Sequence, residues 1–303
     1  MDEAKRLQAL MAELRALLLE EYRIQHGIQT TDLGGLKLVR WDVPNSLYRC
    51  LYEPMINIIL QGEKHSTIGT QKVHYGAGQC LIASVDLPSV SYLTDISPEH
   101  PFLSLSLPID YYMLADIAAQ LPPSREKPSN LEAGMTVAPT DAFILEALLR
   151  LLHLNRRPEE KQFMSSLIIR ELHYRLLSGP LGKELRRIIT LGSHSNQIMQ
   201  AVVYLKQHYK ESLTVDQLAA IAHMGNSTFR RCFKRVTTLS PLQYQKRLQL
   251  HEAQRLMLAE GQSAAGAAYA VGYESATQFN REYKRLFGLP PAADINRLRS
   301  SEG

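Results

Sequence analysis

Apolar residues in the last hundred positions recur at helical spacing, and the arrangement occurs twice. Thr214 opens a short helix rich in small residues, a turn containing Gly225 follows, and a basic helix comes next. Ser263 opens a second segment of the same kind, with Gly272 in its turn. Each segment predicts a helix-turn-helix unit, the arrangement that places a helix in the major groove of DNA.

The basic helix of the first unit has one apolar and one polar face. Phe229 and Phe233 stand four residues apart, which predicts that they are buried. Residues near the start of such a helix reach base edges, and those near its end reach phosphates. We therefore expect base reading by Ser227, Arg230 and Arg231, and phosphate contacts by Lys234 and Arg235.

The basic helix of the second unit divides in the same way, with Phe279 and Tyr283 inward. A single basic face usually indicates only a solvated surface helix, but here the pattern recurs, which favours DNA binding. Ala276 has no side-chain hydrogen-bonding group, so we expect this unit to read sequence less strongly than the first. The outward positions predict base reading by Ala276, Thr277, Asn280 and Arg281, and phosphate contacts by Lys284 and Arg285.

Further helices and turns surround these two units. Ser195 precedes a helix predicted over 196–209, and Pro241 opens a long amphipathic helix that would hold the two units at a fixed separation. We assign the tight turns to Gly225 and Gly272, because glycine tolerates a positive φ. We predict helix caps at Thr214 with Gln217, at Ser195, Ser263 and Ser275, and at either Asn226 or Gly225.

The N-terminal part of the chain has a different pattern. Residues 2–22 predict an amphipathic helix. From Leu36 to Leu107 short strands alternate with turns, and Gly69-Thr70 marks a hairpin. Strands of this length and spacing are typical of a small barrel or sandwich. Three helices are predicted after them, over 109–119, 139–153 and 159–178.

Charge is divided unequally along the chain. From Asn196 onward there are 14 Lys and Arg residues against 8 Asp and Glu, a net charge of +6. Residues 1–195 have 20 against 22, a net charge of −2. The positive charge thus accompanies the helix-turn-helix units, as in a DNA-binding module. We expect domains over 1–185 and 196–303, joined by a linker at 186–195.

Composition limits the cellular setting. No apolar run is long enough to span a membrane, and the N-terminus does not have the pattern of a signal peptide. Cys50, Cys80 and Cys232 show neither metal-ligand spacing nor the even number of a disulfide framework. These features predict a cytoplasmic protein with no membrane partner.

Two segments resemble a known family. The run LSPLQYQKRLQLHEAQRLM, followed by AYAVGYESATQFNREYKRLFGLPP, resembles the AraC-type (AraC/XylS) transcription regulators, in which both units contact DNA. The segment beginning INIILQGEKHSTIG resembles the N-terminal domain of one AraC-type subgroup. That resemblance implies a cupin-like domain that binds a small effector and helps to form homodimers, and activation through contact with RNA polymerase. Thr238 stands where the family often has glycine, so we expect strain at that helix end.

A cupin-like domain raises the question of metal and thiol chemistry. Metal cupins bring two closely spaced histidines, a carboxylate and a later histidine onto one ion. His65 and His74 stand alone on the predicted hairpin with no HxH pattern, so we expect no metal and no cofactor. Cys50 and Cys80 are candidate thiol sensors near the interior, although a buried cysteine more often packs as a small apolar residue.

The sequence therefore predicts an α+β protein: a cupin-like β-barrel with flanking helices, linked to an all-α double helix-turn-helix domain. We expect a non-enzymatic, sequence-specific transcription regulator that binds double-stranded DNA and a small effector. Two alternatives stay open. The N-terminal domain would serve only to dimerise or to bind a protein partner if its own side chains filled its pocket. Stoichiometric iron, manganese or zinc would instead favour a metal cupin enzyme fused to DNA-binding helices.

Overall fold

The chain forms two compact units, Met1–Ser193 and His194–Gly303. The computed structural model describes residues 2–43, 48–68, 71–122, 134–180, 182–190 and 193–301. Helix α5 of the first unit (Gly182–Ile189) begins before the linker predicted at 186–195 and continues into it. The linker position therefore stays a prediction. Within the described ranges, no helix combines the length and the apolar character needed to cross a membrane.

Antiparallel strands make up most of the first unit. In chain order they are β1 (Gly27–Thr30), β2 (Lys37–Trp41), β3 (Tyr48–Tyr52), β4 (Met55–Gln61), β5 (Glu63–Ile68), β6 (Gln71–Gly76), β7 (Gln79–Ala83), β8 (Leu87–Thr94), β9 (Phe102–Pro108) and β10 (Met135–Pro139). The first sheet has the order β1-β2-β9-β4-β7-β10, and the second has the order β3-β8-β5-β6. Gly69 and Thr70 of the predicted hairpin lie outside the described residues, and the strands on either side pair antiparallel from Ile68↔Gln71 onward.

The prediction of a closed barrel is wrong for the described part of the chain. The hydrogen-bonded strands form two separate sheets, whose outermost strands are β1 and β10 in one and β3 and β6 in the other. The α+β class itself is confirmed. Alternation along a strand shows which face is buried but not whether two edges meet, so the sequence pattern could not separate a barrel from a sandwich.

Each sheet has an inner face. In β5, Lys64, Ser66 and Ile68 are buried, whereas Glu63, His65 and Thr67 are partly exposed. The central strands β4 and β9 of the first sheet are buried at nearly every position, as expected for strands that are covered on both sides.

Helices cover the first sheet. They are α1 (Glu3–Ala16), continued by a π-helical turn (Leu17–Glu21), then α2 (Tyr111–Gln120), α3 (Ala142–His153), α4 (Pro158–Ser178) and α5. Helix α3 begins three residues later than predicted, because 135–139 forms strand β10 instead. Helices α1 and α3 are joined by the Arg6–Glu146 ion pair at 2.5 Å. The Tyr22 hydroxyl, just beyond α1, donates to the carbonyl of Leu152 at 2.7 Å.

The second unit is entirely helical in its described part, as predicted. Its helices are α6 (His194–Gln207), α7 (Val215–Ile221), α8 (Asn226–Thr237), α9 (Pro241–Ala259), α10 (Ala264–Ala270), α11 (Ala276–Phe287) and α12 (Pro291–Ser301). Helix α12 was missed by the sequence analysis. Its fully buried Asp294 accepts hydrogen bonds from Gln254 at 2.6 Å and from Tyr283 at 2.9 Å, which ties α12 to α9 and α11.

The predicted caps of α7, α10 and α11 are present, but the cap predicted at Ser195 is wrong, because α6 begins at His194 and Ser195 lies within its first turn. Thr214 and Gln217 form a reciprocal capping box at the start of α7, and Ser263 and Ser275 cap α10 and α11 through their side chains. The sequence analysis missed a second capping box, between Ser240 and Gln243, at the start of α9. These bonds satisfy backbone N–H groups that a helix start leaves unpaired.

The turn chemistry of the two units differs. Gly272 has a φ of +91° as predicted. Gly225 has a φ of −69°, so the positive φ predicted there is wrong, but it is the N-cap of α8, one of the two cap positions predicted from the sequence. His223, with a φ of +51°, takes the left-handed position instead. Histidine adopts this conformation more readily than most residues do. Thr238 ends α8 with a φ of +65°, and its hydroxyl is buried with no hydrogen-bond partner, which agrees with the expected strain.

The turn between α6 and α7 joins the two helix-turn-helix units. The Gln245 amide on α9 donates to the carbonyls of Tyr209 at 2.9 Å and Glu211 at 2.6 Å. One helical turn later, the Gln249 amide donates to the same Tyr209 carbonyl at 2.9 Å. A Cβ added at Gly272 would lie 2.4 Å from the Lys210 carbonyl oxygen, so the turn of the second unit packs directly on this segment.

Replacing Gly272 with alanine should therefore destabilise the second unit strongly. A left-handed alanine costs about 1–2 kcal/mol, and the backbone clash adds about 1–3 kcal/mol. We expect a loss of about 3 kcal/mol in the free energy of unfolding, measured by chemical denaturation with circular dichroism. Gly261→Ala is the matched control, because Gly261 also has a positive φ (+67°) but has no atom within 4 Å of the added Cβ. Equal losses in the two variants would refute the close packing on Lys210.

Candidate DNA-binding surface and interior cavity

Helix α8 presents the predicted DNA-contacting side chains to solvent. Phe229, Cys232, Phe233 and Val236 are buried and fix the rotation of the helix. The remaining face carries the predicted base and phosphate contacts, all of which are exposed: Ser227, Arg230, Arg231, Lys234 and Arg235. Because the helix starts at Asn226, Ser227 and Arg230 lie in its first turns and Lys234 and Arg235 in its last.

Helix α11 repeats the arrangement. Phe279, Tyr283, Leu286 and Phe287 form its buried face. Ala276 is half-buried, and the other predicted contacts are exposed: Thr277, Asn280, Arg281, Lys284 and Arg285. Among the described residues, Arg230, Arg231 and Arg281 have no hydrogen-bond or ion-pair partner. An exposed guanidinium without a partner within the protein can take a guanine edge or a phosphate at little cost.

The connector helix α9 also contacts the second recognition helix through a polar chain. The Lys246 ammonium lies 4.1 Å from the centroid of the Tyr273 ring, in the turn before α11. The Tyr273 hydroxyl donates to Glu282 at 2.7 Å, and Gln278 donates to the same carboxylate at 3.1 Å. Burial, followed by the hydrogen bond to Glu282, raises the pKa of Tyr273, so its hydroxyl stays protonated and remains a donor. The side chain of Tyr273 thus positions α11 against α9, because its ring contacts Lys246 of α9 and its hydroxyl binds Glu282 of α11.

A cavity of about 150 Å³ lies between the two sheets of the first unit. Aromatic rings of Trp41, Tyr52 and Phe102 form part of its wall, together with hydroxyls of Ser104 and Ser106. Lys64 also lines the cavity and is only 8% exposed, with its ammonium 4.9 Å from the centroid of the Tyr52 ring. A nearly buried ammonium in the wall of a cavity favours an anionic ligand group.

A network of hydroxyl groups lies beside this cavity. The Tyr52 hydroxyl is 2.9 Å from the Ser66 hydroxyl and 3.3 Å from the Tyr75 hydroxyl. Ser66 is in turn 2.9 Å from Ser91. Burial raises the pKa of Tyr75, which keeps its hydroxyl neutral. The interior between the sheets is therefore polar and hydrogen-bonded, which suits selection among small ligands.

The two candidate thiols have different outcomes. Cys80 is 1% exposed, packs in the apolar core, and does not line the cavity between the sheets. Desolvation raises its pKa to about 11, so the reactive thiolate is disfavoured. The side chain of Cys50 lies outside the described residues.

The structure brings together a cluster that the sequence analysis dismissed. Glu63, His65 and His74 each offer one potential ligand atom, and these atoms lie within 4.8 Å of one another. Residues 63 and 65 share one face of β5, and His74 pairs directly with His65 across the ladder. The signal was available, since a hairpin centred on Gly69-Thr70 places positions 65 and 74 opposite each other.

Two helix-turn-helix units with exposed cationic faces define the class of the protein, a DNA-binding regulator, and comparison with known proteins gives the family. A family model described as "AraC-type transcriptional regulator N-terminus" matches residues 32–184, half of the chain, and a helix-turn-helix domain model matches residues 218–297. The chain belongs to the AraC-type transcriptional regulators.

Individual relatives are more distant. The MmsAB operon regulatory protein of Pseudomonas aeruginosa is 31% identical over 100 residues, which is 33% of each chain. The match thus spans about a third of the length of that curated relative. An apo structure of a ToxT variant from Vibrio cholerae has a TM-score of 0.60 at 10% identity, covering 89% of this chain and 98% of that one. Wild-type ToxT with a bound unsaturated fatty acid has a TM-score of 0.58, also at 10% identity, covering 88% and 96%. At this identity the likeness shows the fold alone.

His251 predicts a pH dependence of stability in the second unit. Its ring Nε2 is buried without a partner, beside Phe287 and on the same helix as Arg247. Desolvation, followed by the charge of Arg247, lowers the pKa of His251 to about 4. His251 therefore binds a proton near pH 6.5 in the unfolded chain but only near pH 4 in the folded chain.

Stability should fall as the pH drops from about 6.5 towards 4, by on the order of 3 kcal/mol. His251→Gln cannot bind this proton, so the difference between wild type and variant should change over that window and be flat above it. Denaturant titrations at several pH values, followed by circular dichroism, measure this difference. A difference that is independent of pH would contradict the assignment.

Proposed function

We propose that the protein is a sequence-specific regulator of transcription that reads DNA through α8 and α11 and is controlled by a small effector held between the two sheets. The observation that carries the proposal is the repeated exposure of unpartnered cationic side chains on the two recognition helices, in a chain of the AraC-type family. A protein with this function acts on the chromosome, so we place it in the cytoplasm. Activation through contact with RNA polymerase stays a prediction.

Each recognition helix has base-reading side chains near its start and phosphate-binding side chains near its end. Side chains in the first turns of each helix read bases: Ser227, Arg230 and Arg231 on α8, and Ala276, Thr277, Asn280 and Arg281 on α11. Side chains in the last turns hold phosphates: Lys234 and Arg235 on α8, and Lys284 and Arg285 on α11. Phosphate contacts set affinity and its salt dependence, whereas base contacts set sequence preference.

Binding to DNA from upstream of the protein's own coding region, compared with scrambled DNA over a range of salt concentrations, tests this proposal. Arg231→Ala should cost about 1–3 kcal/mol on the specific site and much less on scrambled DNA. Lys234→Ala should weaken both by similar factors and reduce the salt slope by about one. Steep salt dependence and no preference between the two DNAs would show that the protein binds DNA through phosphate contacts alone.

The two units should contribute unequally. Ala276, the first residue of α11, presents only a half-buried methyl group, whereas the first residue of α8, Asn226, is exposed and has a polar amide. We therefore expect Arg281→Ala to cost less affinity for the specific site than Arg231→Ala does. Equal losses would show that both units read sequence to the same degree.

The effector site is the cavity between the sheets. Its aromatic walls fit an apolar body, and the nearly buried Lys64 fits a carboxylate or another anionic group. The fatty acid bound by ToxT has the same two parts, an apolar chain and a carboxylate. The alternative of a domain that only dimerises requires a pocket filled by its own side chains, and this unfilled cavity favours the effector instead.

A thermal-shift series with monocarboxylates of graded chain length tests the effector site. We expect stabilisation of the wild type, and a loss of affinity of at least about ten-fold in Lys64→Met, since the buried charge pair is worth roughly 1.4 kcal/mol or more. Lys72→Met, at an exposed position on β6, is the matched control and should bind as the wild type does. Unchanged binding in Lys64→Met would rule out this cavity as the anion site.

We also propose a homodimer. Phe163 is 70% exposed and Leu167 is 47% exposed, four residues apart on α4, so they form an apolar patch suited to a second copy. Two chains on repeated DNA sites would gain affinity through effective concentration. A monomeric mass for the full chain, both in solution and on DNA, would refute the dimer.

A further inference from the structure

The outer face of the second sheet carries a compact group of metal-ligand side chains. Glu63 and His65 project from the partly exposed side of β5, and His74 projects from β6 opposite His65. The inner side of β5, with Lys64 and Ser66, faces away from them. The group is therefore separated by the sheet from the cavity proposed for the effector.

We propose that Glu63, His65 and His74 bind one divalent transition-metal ion of the zinc type. Two imidazoles and a carboxylate form a ligand set that zinc accepts, with a water molecule in the fourth position. This site is independent of the effector cavity and of DNA binding. It also differs from the interior site of a metal cupin enzyme, because it lies on the opposite face of the sheet.

The spacing of the three ligands is close to what a metal needs. Metal–ligand bonds of about 2.0–2.1 Å in a tetrahedron place neighbouring ligand atoms about 3.3 Å apart. His74 Nε2 and Glu63 Oε2 are already 3.0 Å apart. The largest separation within the group is 4.8 Å or less, so closure requires movements of about 1.5 Å, within the reach of side-chain rotation.

Neighbouring residues hold the ligands in place. The ring of His65 stacks on His74 with centroids 4.3 Å apart, and on Tyr92 with centroids 4.5 Å apart. The Thr94 hydroxyl lies 3.1 Å from His65 Nε2 and 3.4 Å from Glu63 Oε2. Such outer contacts orient metal ligands and reduce the entropy that binding must overcome.

An open cavity of about 320 Å³ adjoins the ligands. Glu63 and His74 are part of its wall, and so are Asp95 and His100. The cavity leaves room for the water molecule that completes the coordination. The wall of this cavity also contains one further imidazole, that of His100, and one further carboxylate, that of Asp95.

The same contacts would also serve a metal-free ion pair between His74 and Glu63, and metal titration separates the two. Full-length protein is treated with a chelator, dialysed and titrated with Zn²⁺ in competition with a chromophoric chelator. We expect one equivalent of Zn²⁺ at a dissociation constant on the order of micromolar. His65→Ala, His74→Ala and Glu63→Gln should each weaken binding by at least about ten-fold, which is the usual effect of losing a ligand or its support.

A control histidine isolates this site from chance surface binding. His26 Nδ1 lies 3.3 Å from a carboxylate oxygen of Asp42 in the same unit, as a single histidine–aspartate contact. His26→Ala should therefore leave Zn²⁺ binding unchanged. Circular dichroism of each variant separates loss of the site from loss of the fold. Co²⁺ spectra of the wild type should show tetrahedral bands without thiolate charge transfer, which excludes the cysteines. Less than one equivalent bound by the wild type, or wild-type affinity retained in all three ligand variants, would overturn the proposal.

Discussion

The arrangement of the DNA-binding unit depends on how the backbone carbonyls of a single turn are satisfied. The segment between α6 and α7 offers the carbonyls of Tyr209 and Glu211 to two glutamines of α9, and its Lys210 backbone packs directly against Gly272. Unpaired buried carbonyls are costly, so this segment cannot separate from α9 without losing its partners. The segment that precedes the first helix-turn-helix unit thereby fixes both the connector helix α9 and the second unit, and with them the relative positions of α8 and α11 within this domain.

The core of the N-terminal unit has an apolar part and a polar part. The face of the first sheet that meets the helices is packed with leucine and isoleucine, whereas the space between the sheets contains buried serines, tyrosine hydroxyls and a lysine. A core selected for stability alone would be apolar on both sides, because each buried polar group must find a partner. The polar interior is therefore consistent with the effector site proposed above, and the apolar packing on the helical side offsets its cost in stability.

The sequence predicted local features well and long-range ones poorly. The recognition helices and the caps at Thr214, Ser263 and Ser275 depend on neighbours within four residues, and they are present. The number of sheets and strand β10 depend on pairing between distant segments, which periodicity does not encode. The turn at His223 was assigned to Gly225, since glycine was assumed to be needed. The pairing of His65 with His74 was missed because the hairpin was recognised but its register was not followed to the side chains.

The packing of α1 has a consequence for how the chain folds as it is made. The polar contacts of this segment with α3 join residues 130 or more positions apart, as in Arg6 with Glu146 and Tyr22 with Leu152. At roughly 5–20 residues per second, the ribosome needs about ten seconds to deliver those partners. An amphipathic helix that emerges early must wait with its leucines uncovered until α3 appears. During synthesis of this domain, the apolar face of α1 is therefore exposed for several seconds. A chaperone that binds apolar helices would find a binding site there that is buried in the folded protein.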